Sequence, residues 1–290
     1  MKGLILTNAY NTSPSYLNQS IRLKQELDKL KVAVDIRQND FFPAIIADGG
    51  IKLLAKKYEF CVFLDKDKYV SRMLEDSGVR MFNTTDSMEI CDDKMTTCIK
   101  LAKVASMPIT LPGLLCYNSE SYIKDHTIDK IKSNLSFPIV IKQAYGSLGK
   151  GVYKANNEKE LKAIMEKVKL TPHLFQEFIK ESYGKDVRVI VIGNKVCASM
   201  LRVSQGDFRS NAELGGKAYK YTLPHSYASL CEKVSKVLGL DYCGIDILIG
   251  KDDKPLICEV NSNAFWGKIE EVTNVNVAKA YAIHIIKSLS

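Results

Sequence analysis

The chain has 290 residues, of which 46% are hydrophobic and 26% charged, and its formal net charge is +8. This composition is typical of an ordinary folded protein and excludes an intrinsically disordered chain. The lysines are scattered without a basic block, which predicts mild attraction to anionic small molecules such as nucleotides and makes nucleic-acid binding the weaker alternative.

The first residues of the chain do not have the pattern of a targeting segment. The apolar run in MKGLILTNAY covers only four residues, which is shorter than the core of a signal peptide. No later stretch approaches the ~18 apolar residues that a membrane span requires. The eight cysteines form no C-x-x-C pair, which favours reduced thiols over a zinc site. We therefore expect a cytoplasmic protein without membrane contact.

Residues 1–91 alternate short apolar runs with amphipathic ones. The runs GLILT, VAVDIR and FCVFLD are predicted strands. Helices are predicted from Ser15 to Leu30 and near Ile51 to Lys57. This rhythm is typical of a small doubly wound α/β domain.

The remainder of the chain divides into two further units. Residues 92–174 contain a predicted helix (DKMTTCIKLAKVA), a loop (SMPITLPG), a strand and a helix from Glu158 to Lys169. Residues 175–290 contain longer strands, VRVIVIG and KVCASMLRVS, followed by a helix from Ser226 to Leu238. Two more strands, YCGIDILIG and PLICEVN, are joined by the turn KDDK. This pattern predicts a mixed α/β (α+β) protein.

A glycine-rich loop follows the strand in FPIVIKQAYGSLGKGVYKA. Gly146, Gly149 and Gly151 allow the backbone to approach a ligand closely. Free N–H groups in such a turn form an anion site, to which Lys142 and Lys150 add positive charge, so phosphate is the natural candidate. The spacing matches neither G-x-x-x-x-G-K-[ST] nor G-x-G-x-x-G. Taken alone, the loop is more often an ordinary turn.

Acidic side chains interrupt the last two apolar strands, in GIDILIGKDDKPLICEVNSN. Asp246 lies within the first strand, and Glu259 and Asn261 share one face of the second because side chains alternate. A carboxylate inside an apolar strand is costly unless a cation compensates it. Two carboxylates and an amide oxygen suit Mg²⁺. The alternative is a structural ion pair with a lysine or an arginine.

The order of the motifs carries a resemblance to a known family. In chain order they are DDKMTTCIKLA, FPIVIKQAYGSLGKGV, QEFI, GKDVRVIVIG, DFRSNAELGG, GIDIL and EVNSN. The sequence from about residue 90 to 290 resembles the ATP-grasp superfamily and, within it, the RimK-like carboxylate–amine ligases. The resemblance implies a Rossmann-like pre-ATP-grasp domain (1–91), a central lid subdomain (92–174) and a C-terminal ATP-grasp subdomain (175–290).

The resemblance also implies a site. ATP contacts are implied for Lys94, Lys142, Gly146, Ser147, Gly149, Gly151, Glu177, Phe178, Ile179, Asp186, Arg209, Ser210 and Asn211. The implied ligands of Mg²⁺ (or Mn²⁺) are Asp246, Glu259 and Asn261, and the implied catalytic residues are Lys142, Arg188 and Arg202. The glycine loop would close over the phosphates as a lid. Glu177 and Phe178 would lie at the adenine edge, and Asp186 near the ribose.

The implied activity is an ATP-dependent ligase reaction. A small carboxylate or a peptide C-terminus would be activated as an acyl phosphate and attacked by an amino acid or another amine, with release of ADP and phosphate. Positioning and charge neutralisation would supply the rate, so no protein nucleophile is needed. A small-molecule kinase and a non-catalytic ATP-binding regulator are the alternatives, and a homo-oligomer stays open.

Two positions depart from the family pattern beside the acceptor pocket. Glu213 and Leu214 stand where relatives carry a basic residue, and Ala264, Phe265 and Trp266 replace a frequent proline-glycine turn. These departures leave the identity of the acid and the amine open. Trp266 either stacks on a substrate or covers the hairpin.

Overall fold

The computed structural model describes residues 1–54, 58–204, 206–210 and 216–290. The strands in these ranges are β1 (Lys2–Thr7), β2 (Ala33–Gln38), β3 (Ala44–Ala47), β4 (Gly50–Leu53), β5 (Phe60–Phe63), β6 (Arg80–Phe82), β7 (Thr110–Pro112), β8 (Ile139–Gln143), β9 (Val152–Ala155), β10 (His173–Glu177), β11 (Lys185–Ile192), β12 (Lys195–Val203), β13 (Lys217–Lys220), β14 (Tyr242–Ile249) and β15 (Pro255–Asn261). The helices are α1 (Pro14–Lys29), α2 (Lys68–Asp76), α3 (Thr85–Asp92), α4 (Lys94–Leu101), α5 (Asp125–Lys132), α6 (Glu158–Val168), α7 (His225–Leu238), α8 (Gly267–Thr273) and α9 (Val277–Leu289).

The first sheet is parallel and has the strand order β2-β1-β5-β6. The prediction of a helix near Ile51 to Lys57 is wrong over its first part, because β4 pairs there with β3 in an antiparallel hairpin. Asp48 and Gly49 form its turn, both with positive φ, which is the geometry that tight hairpins favour. Residues 55–57 lie outside the described ranges.

The second sheet is antiparallel, with the strand order β7-β10-β8-β9. Helices α5 and α6 bury their apolar sides against it, so that Ile128 and Leu161 share a core with Ile139, Ile141 and Phe175. Strand β7 lies in the segment predicted as a loop, where it pairs with β10. The opposite side of this sheet remains available to line a cleft.

The third sheet is also antiparallel and has the order β13-β12-β11-β14-β15. Helix α7 covers one of its faces, and α8 and α9 cover the other together with α1. Trp266 belongs to this second core: it is 1% exposed and its ring lies 5.5 Å from that of Tyr242. The alternative that Trp266 stacks on a substrate is therefore wrong, because its ring has no surface left to offer.

The cysteines are free thiols, as the sequence pattern favours. All eight cysteines are free, and Cys61, Cys91, Cys231 and Cys243 are buried. Burial raises the pKa of Cys243 to about 12, so this thiol stays protonated at neutral pH. Within the described ranges, no helix combines the length and the apolarity needed to span a bilayer.

Candidate functional site

A cleft of about 840 Å³, its open mouth included, lies between the second and third sheets. Strands β8, β9 and β10 supply one wall, and β11, β12, β14 and β15 supply the other. The structure brings most of the predicted site residues to this cleft. They are Lys94, Lys142, Gly146, Ser147, Gly149, Glu177, Phe178, Ile179, Asp186, Arg202, Arg209, Ser210, Asp246 and Glu259.

The remaining predicted residues lie elsewhere. Gly151 closes the glycine loop by accepting a hydrogen bond from the backbone N–H of Gln143. Arg188 contacts Asp246 from the same face of the third sheet but does not line the cleft. Asn261 lies two residues beyond Glu259, opposite Gly244. Asn211 lies outside the described residues, as do Glu213 and Leu214.

Two lysines give one end of the cleft its positive charge. The carboxylate of Asp93 caps α4 by accepting from Met95 N and Thr96 N, which places Lys94 at the start of that helix. Lys94 Nζ donates to the carbonyl oxygen of Gly146 at 2.7 Å. Burial outweighs the nearby Glu259 carboxylate and, reinforced by the ammonium groups of Lys66 and Lys142, lowers the pKa of Lys94. A bound anion would compensate the desolvated positive charge, so this end of the cleft favours a ligand such as a phosphate.

The glycine loop folds over the same end. Gly146, Gly149 and Gly151 all have positive φ, which side chains other than glycine seldom adopt. A Cβ on Gly151 would lie 2.4 Å from Gln143 Oε1. Arg209 Nη1 donates to the carbonyl oxygen of Gly149 at 2.8 Å. Cations from two other segments, α4 and the residues after β12, therefore hold the loop by its carbonyl groups.

The other end of the cleft is largely apolar. The backbone N–H of Glu177 donates to Ile109 O at 2.8 Å, and the N–H of Ile109 donates to Glu177 Oε2 at 3.2 Å. These two bonds fix the chain just before Phe178 and Ile179, which line the cleft with Leu248. A slot with fixed backbone and apolar walls suits a flat heterocycle.

Three buried charges and the partly buried Arg188 connect β11 and β14 with β12. Arg202 Nε donates to Asp186 Oδ1 at 2.7 Å, and Arg202 Nη2 lies 3.0 Å from Asp246 Oδ2. Arg188 Nη2 also donates to Asp246 Oδ2, at 2.8 Å. Burial opposes ionisation of Asp246, but the two guanidinium groups outweigh it and hold its pKa below the ordinary value. The structural ion pair left open from the sequence is thus present at Asp246.

The carboxylates of Asp246 and Glu259 belong to residues directly opposite each other on β14 and β15. The Glu259 carboxylate lies 3.6 Å from Lys94 Nζ and is 26% exposed. In the part of the chain that the structure describes, no group of three His, Cys, Asp or Glu side chains has the arrangement of a metal site. The metal role of the Asp246, Glu259 and Asn261 set therefore stays a prediction.

Sequence reasoning missed Cys258 and Phe208, which also line the cleft. The register shifts opposite Asp246, so that Cys258 has no partner on β14 and faces the cleft beside Glu259. Such a bulge breaks the alternation from which strand faces are predicted, and no sequence signal marks it. For Phe208, an available signal was its position next to Arg209 in DFRSN.

The comparisons with known proteins agree on one family. A model described as a RimK-like ATP-grasp domain matches residues 91–286. N-acetylaspartylglutamate synthase A of Homo sapiens is 35% identical over 228 residues, which are 78% of this chain and 57% of that protein. Probable alpha-L-glutamate ligase 2 of Hahella chejuensis is 35% identical over 224 residues, 76% of this chain and 71% of that protein. The chain thus spans a little over half the length of the human relative.

Solved structures share the fold. The ATP-grasp ligase PsnB, solved with its minimal precursor, Mg and ADP, superposes with a TM-score of 0.72 and covers 99% of this chain and 97% of its own. The two sequences are 15% identical, so this likeness concerns the fold alone.

Proposed function

Because the chain belongs to the RimK-like ATP-grasp family, we propose that it is an ATP- and Mg²⁺-dependent carboxylate–amine ligase. The observation that carries the proposal is the single cleft in which the lysines, the glycine loop, the apolar slot and two acidic residues meet. The fold likeness to an ATP-grasp ligase solved with Mg and ADP supports the same choice of nucleotide and metal.

The shape and charge of the cleft fit ATP. Its two ends differ in polarity as the two ends of a nucleotide do. The base would occupy the slot beside Phe178, and the phosphates would lie against Lys94 and Lys142 beneath the glycine loop. The lowered pKa of Lys94 supports this orientation, because a phosphate would compensate its desolvated charge.

The acidic residues fit a divalent ion in different degrees. Glu259 is the better ligand, because its carboxylate faces the cleft and its ion pair with Lys94 is long, with 3.6 Å between Lys94 Nζ and Glu259 Oε1. Asp246 is already bonded by Arg188 and Arg202, so it would bind the ion with the lone pairs that the guanidinium groups leave. Held by these two residues, Mg²⁺ would supply positive charge that neutralises the phosphates.

The proposed reaction has two steps. A substrate carboxylate oxygen attacks the terminal phosphorus of ATP, so that an O–P bond to ADP breaks and an acyl phosphate forms. The amine nitrogen then attacks the acyl carbon, the C–N bond forms, phosphate leaves and the ammonium proton is lost to solvent. Lys142, Arg188 and Arg202 would stabilise the negative charge of the reacting groups. The reaction therefore needs no protein nucleophile.

Glutamate is the amine that we propose. The names of the human relative and the Hahella relative both refer to glutamate, and the matched segments cover more than three quarters of this chain. The chain's positive charge suits an acidic amine and an acidic acceptor. The carboxylate partner would be a small acid or a peptide C-terminus.

The test is a substrate screen. The purified chain is incubated with ATP, Mg²⁺, glutamate and a panel of small carboxylates, and ADP release is followed together with product masses. We expect ADP release to require both an amine and a carboxylate, and the product to carry the mass of an amide. Chelation of the metal should stop the reaction.

Each alternative gives a different result when alcohols are added to the same screen. A kinase would release ADP with an alcohol alone and add the mass of a phosphoryl group. A regulator would bind ATP but turn over with no acceptor. Either result would overturn the ligase proposal without affecting the family assignment.

A further inference from the structure

Three aromatic rings surround the ammonium group of Lys154 beside the cleft. Lys154 Nζ lies 5.5 Å from the ring centroids of Phe178 and Tyr183, and 5.6 Å from that of Phe208. The ring of Phe178 lies 6.2 Å from each of the other two rings. These are cation–π distances, and aromatic pairs at this separation attract one another. One charge therefore holds a cluster of rings, which we call the Lys154 ring cluster.

The cluster joins three segments of the chain. Lys154 lies on β9 two residues after Val152, so both side chains point to the cleft side of the second sheet. Phe178 follows β10 directly, and Tyr183 lies five residues further on. Phe208 belongs to the segment after β12. Lys154 thus connects the second sheet to chain segments on both sides of the cleft.

Two rings of the cluster form part of the cleft wall, whereas the lysine does not. Phe178 and Phe208 line the cleft, and Lys154 is absent from its lining. The residue after Phe208 is Arg209, whose Nη1 donates to the glycine loop at Gly149 O. A displacement of Phe208 would therefore also disturb the contact that holds the loop.

We propose that Lys154 is a positioning residue of the nucleotide site, which fixes Phe178 and Phe208 in place before the nucleotide binds. The inference rests on the proposed ATP-dependent function and adds to it a residue that touches no substrate. Wall residues that are fixed in advance lose less conformational entropy on binding, so affinity rises without a new contact. The cation–π contacts supply the energy that fixes them.

The chain offers a matched control in Lys167. Its Nζ lies 4.7 Å from the ring centroid of Tyr153, the residue that precedes Lys154 on β9. Because side chains alternate along a strand, this second cation–π contact lies on the opposite face of the same sheet, toward α6. Lys167→Ala removes a comparable contact and a comparable charge without touching the ring cluster.

The experiment compares Lys154→Ala, Lys154→Arg and Lys167→Ala with the wild type. ATP affinity is measured by calorimetry with Mg²⁺ present, and hydrogen exchange is measured without nucleotide over residues 178–183 and 206–210. We expect Lys154→Ala to weaken ATP binding by about three- to tenfold and to speed exchange in both segments. Lys154→Arg should keep affinity and exchange within about twofold of the wild type, since arginine also makes cation–π contacts. Lys167→Ala should change neither.

Three results would overturn the inference. If Lys154→Ala leaves ATP affinity unchanged, the cluster does not position the site. If affinity falls while exchange in the nucleotide-free chain is unchanged, Lys154 acts on the ligand directly. If Lys167→Ala has the same effects, the role is general packing of the second sheet. A wild type that binds no ATP would instead contradict the proposed function, which separates the two failures.

Discussion

At the scale of single residues, Arg202 illustrates how the cleft wall depends on charge balance. Its side chain is 6% exposed and contacts Asp186 and Asp246, both also buried. Removing one partner of a buried ion pair costs more than the pair contributes, because the other charge stays desolvated. We predict that Arg202→Met lowers the free energy of unfolding by ~3–5 kcal/mol, measured by urea denaturation.

The matched control is Arg209→Met. Arg209 also pairs with an aspartate, Asp207, but their side chains are 28% and 31% exposed. Exposed pairs contribute little, so we expect a loss of at most ~1 kcal/mol. Equal losses in the two variants would show that the Arg202 network is not held by charge balance.

Glu259 is the residue at which the metal hypothesis can be tested most directly. We predict that Glu259→Gln keeps the fold but lowers the turnover number by about 100-fold or more, because an amide is a weaker Mg²⁺ ligand than a carboxylate. The Mg²⁺ concentration that gives half-maximal activity should also rise. Steady-state assays at several Mg²⁺ concentrations measure both quantities.

Glu271→Gln is the control for this change. Glu271 is 65% exposed and pairs with Lys268 on α8, away from the cleft. Its substitution should alter neither turnover nor the Mg²⁺ requirement. Wild-type activity and Mg²⁺ dependence in Glu259→Gln would remove this residue from the metal site.

At the scale of elements, the glycine loop combines a backbone conformation that favours glycine with close contacts. We predict that Gly151→Ala weakens ATP binding, because its φ of +72° disfavours alanine and its Cβ would clash with Gln143. Calorimetry with Mg²⁺ and ATP measures the change. Nucleotide affinity like that of the wild type would contradict a role of the loop geometry in binding.

Gly78→Ala separates the effect of the left-handed backbone from the effect of the Cβ clash in Gly151→Ala. Gly78 has a φ of +86°, but no atom lies within 4 Å of the position its Cβ would take. We expect a loss of stability of ~1 kcal/mol from the left-handed backbone alone, without a change in ATP affinity. A loss of affinity in this variant would mean that general destabilisation explains the effect in Gly151→Ala.

The elements also show which parts of the structure a sequence can predict. The long periodic segments were predicted correctly: α1, α6 and α7, and the hairpin of β14 with β15, differ from their predictions only at the ends. The hairpin of β3 with β4 was missed although its Asp48-Gly49 turn is a hairpin signal. Short strands depend on pairing with distant segments, as β7 does with β10, and local pattern does not reveal that pairing.

The site, like the elements, has features that the sequence predicts and features that it does not. The order of the motifs predicted that Lys94, Lys142 and Glu259 lie in one site, because the motifs that contain them follow one another as in the RimK-like ATP-grasp family. In the structure all three line one cleft. The partner of Asp246 did not follow from the sequence: Arg188 and Arg202 reach it from two other strands. Contacts of this kind are set by strand order and register, which no single motif encodes.

At the scale of the whole molecule, the first and third sheets share one core. Helix α1 and strand β1 contribute Leu23 and Ile5 to it, while the C-terminal part contributes Trp266, Tyr281 and Ile285. Arg80 on β6 also pairs with Asp241 at 2.9 Å. The N-terminal residues are therefore packed against the C-terminal sheet, and we expect the two parts to unfold together.

Asn83 is the polar link between these parts. Its Nδ2 donates to the carbonyl oxygens of Tyr242 and Ser262 at 2.8 and 2.9 Å, and its Oδ1 accepts from the backbone N–H groups of Asp241 and Tyr242. The side chain is 3% exposed, so water cannot replace these bonds. We predict that Asn83→Ala lowers the free energy of unfolding by about 3 kcal/mol, because buried backbone groups lose their partners.

Urea denaturation followed by two probes tests this prediction. Trp266, the only tryptophan, reports on the shared core by fluorescence, and circular dichroism reports on the whole chain. Both midpoints should fall together in Asn83→Ala, whereas Asn134→Ala, at an exposed site, should shift them little. Two separate transitions in the wild type, or an unchanged midpoint in Asn83→Ala, would show that the shared core does not couple the two parts.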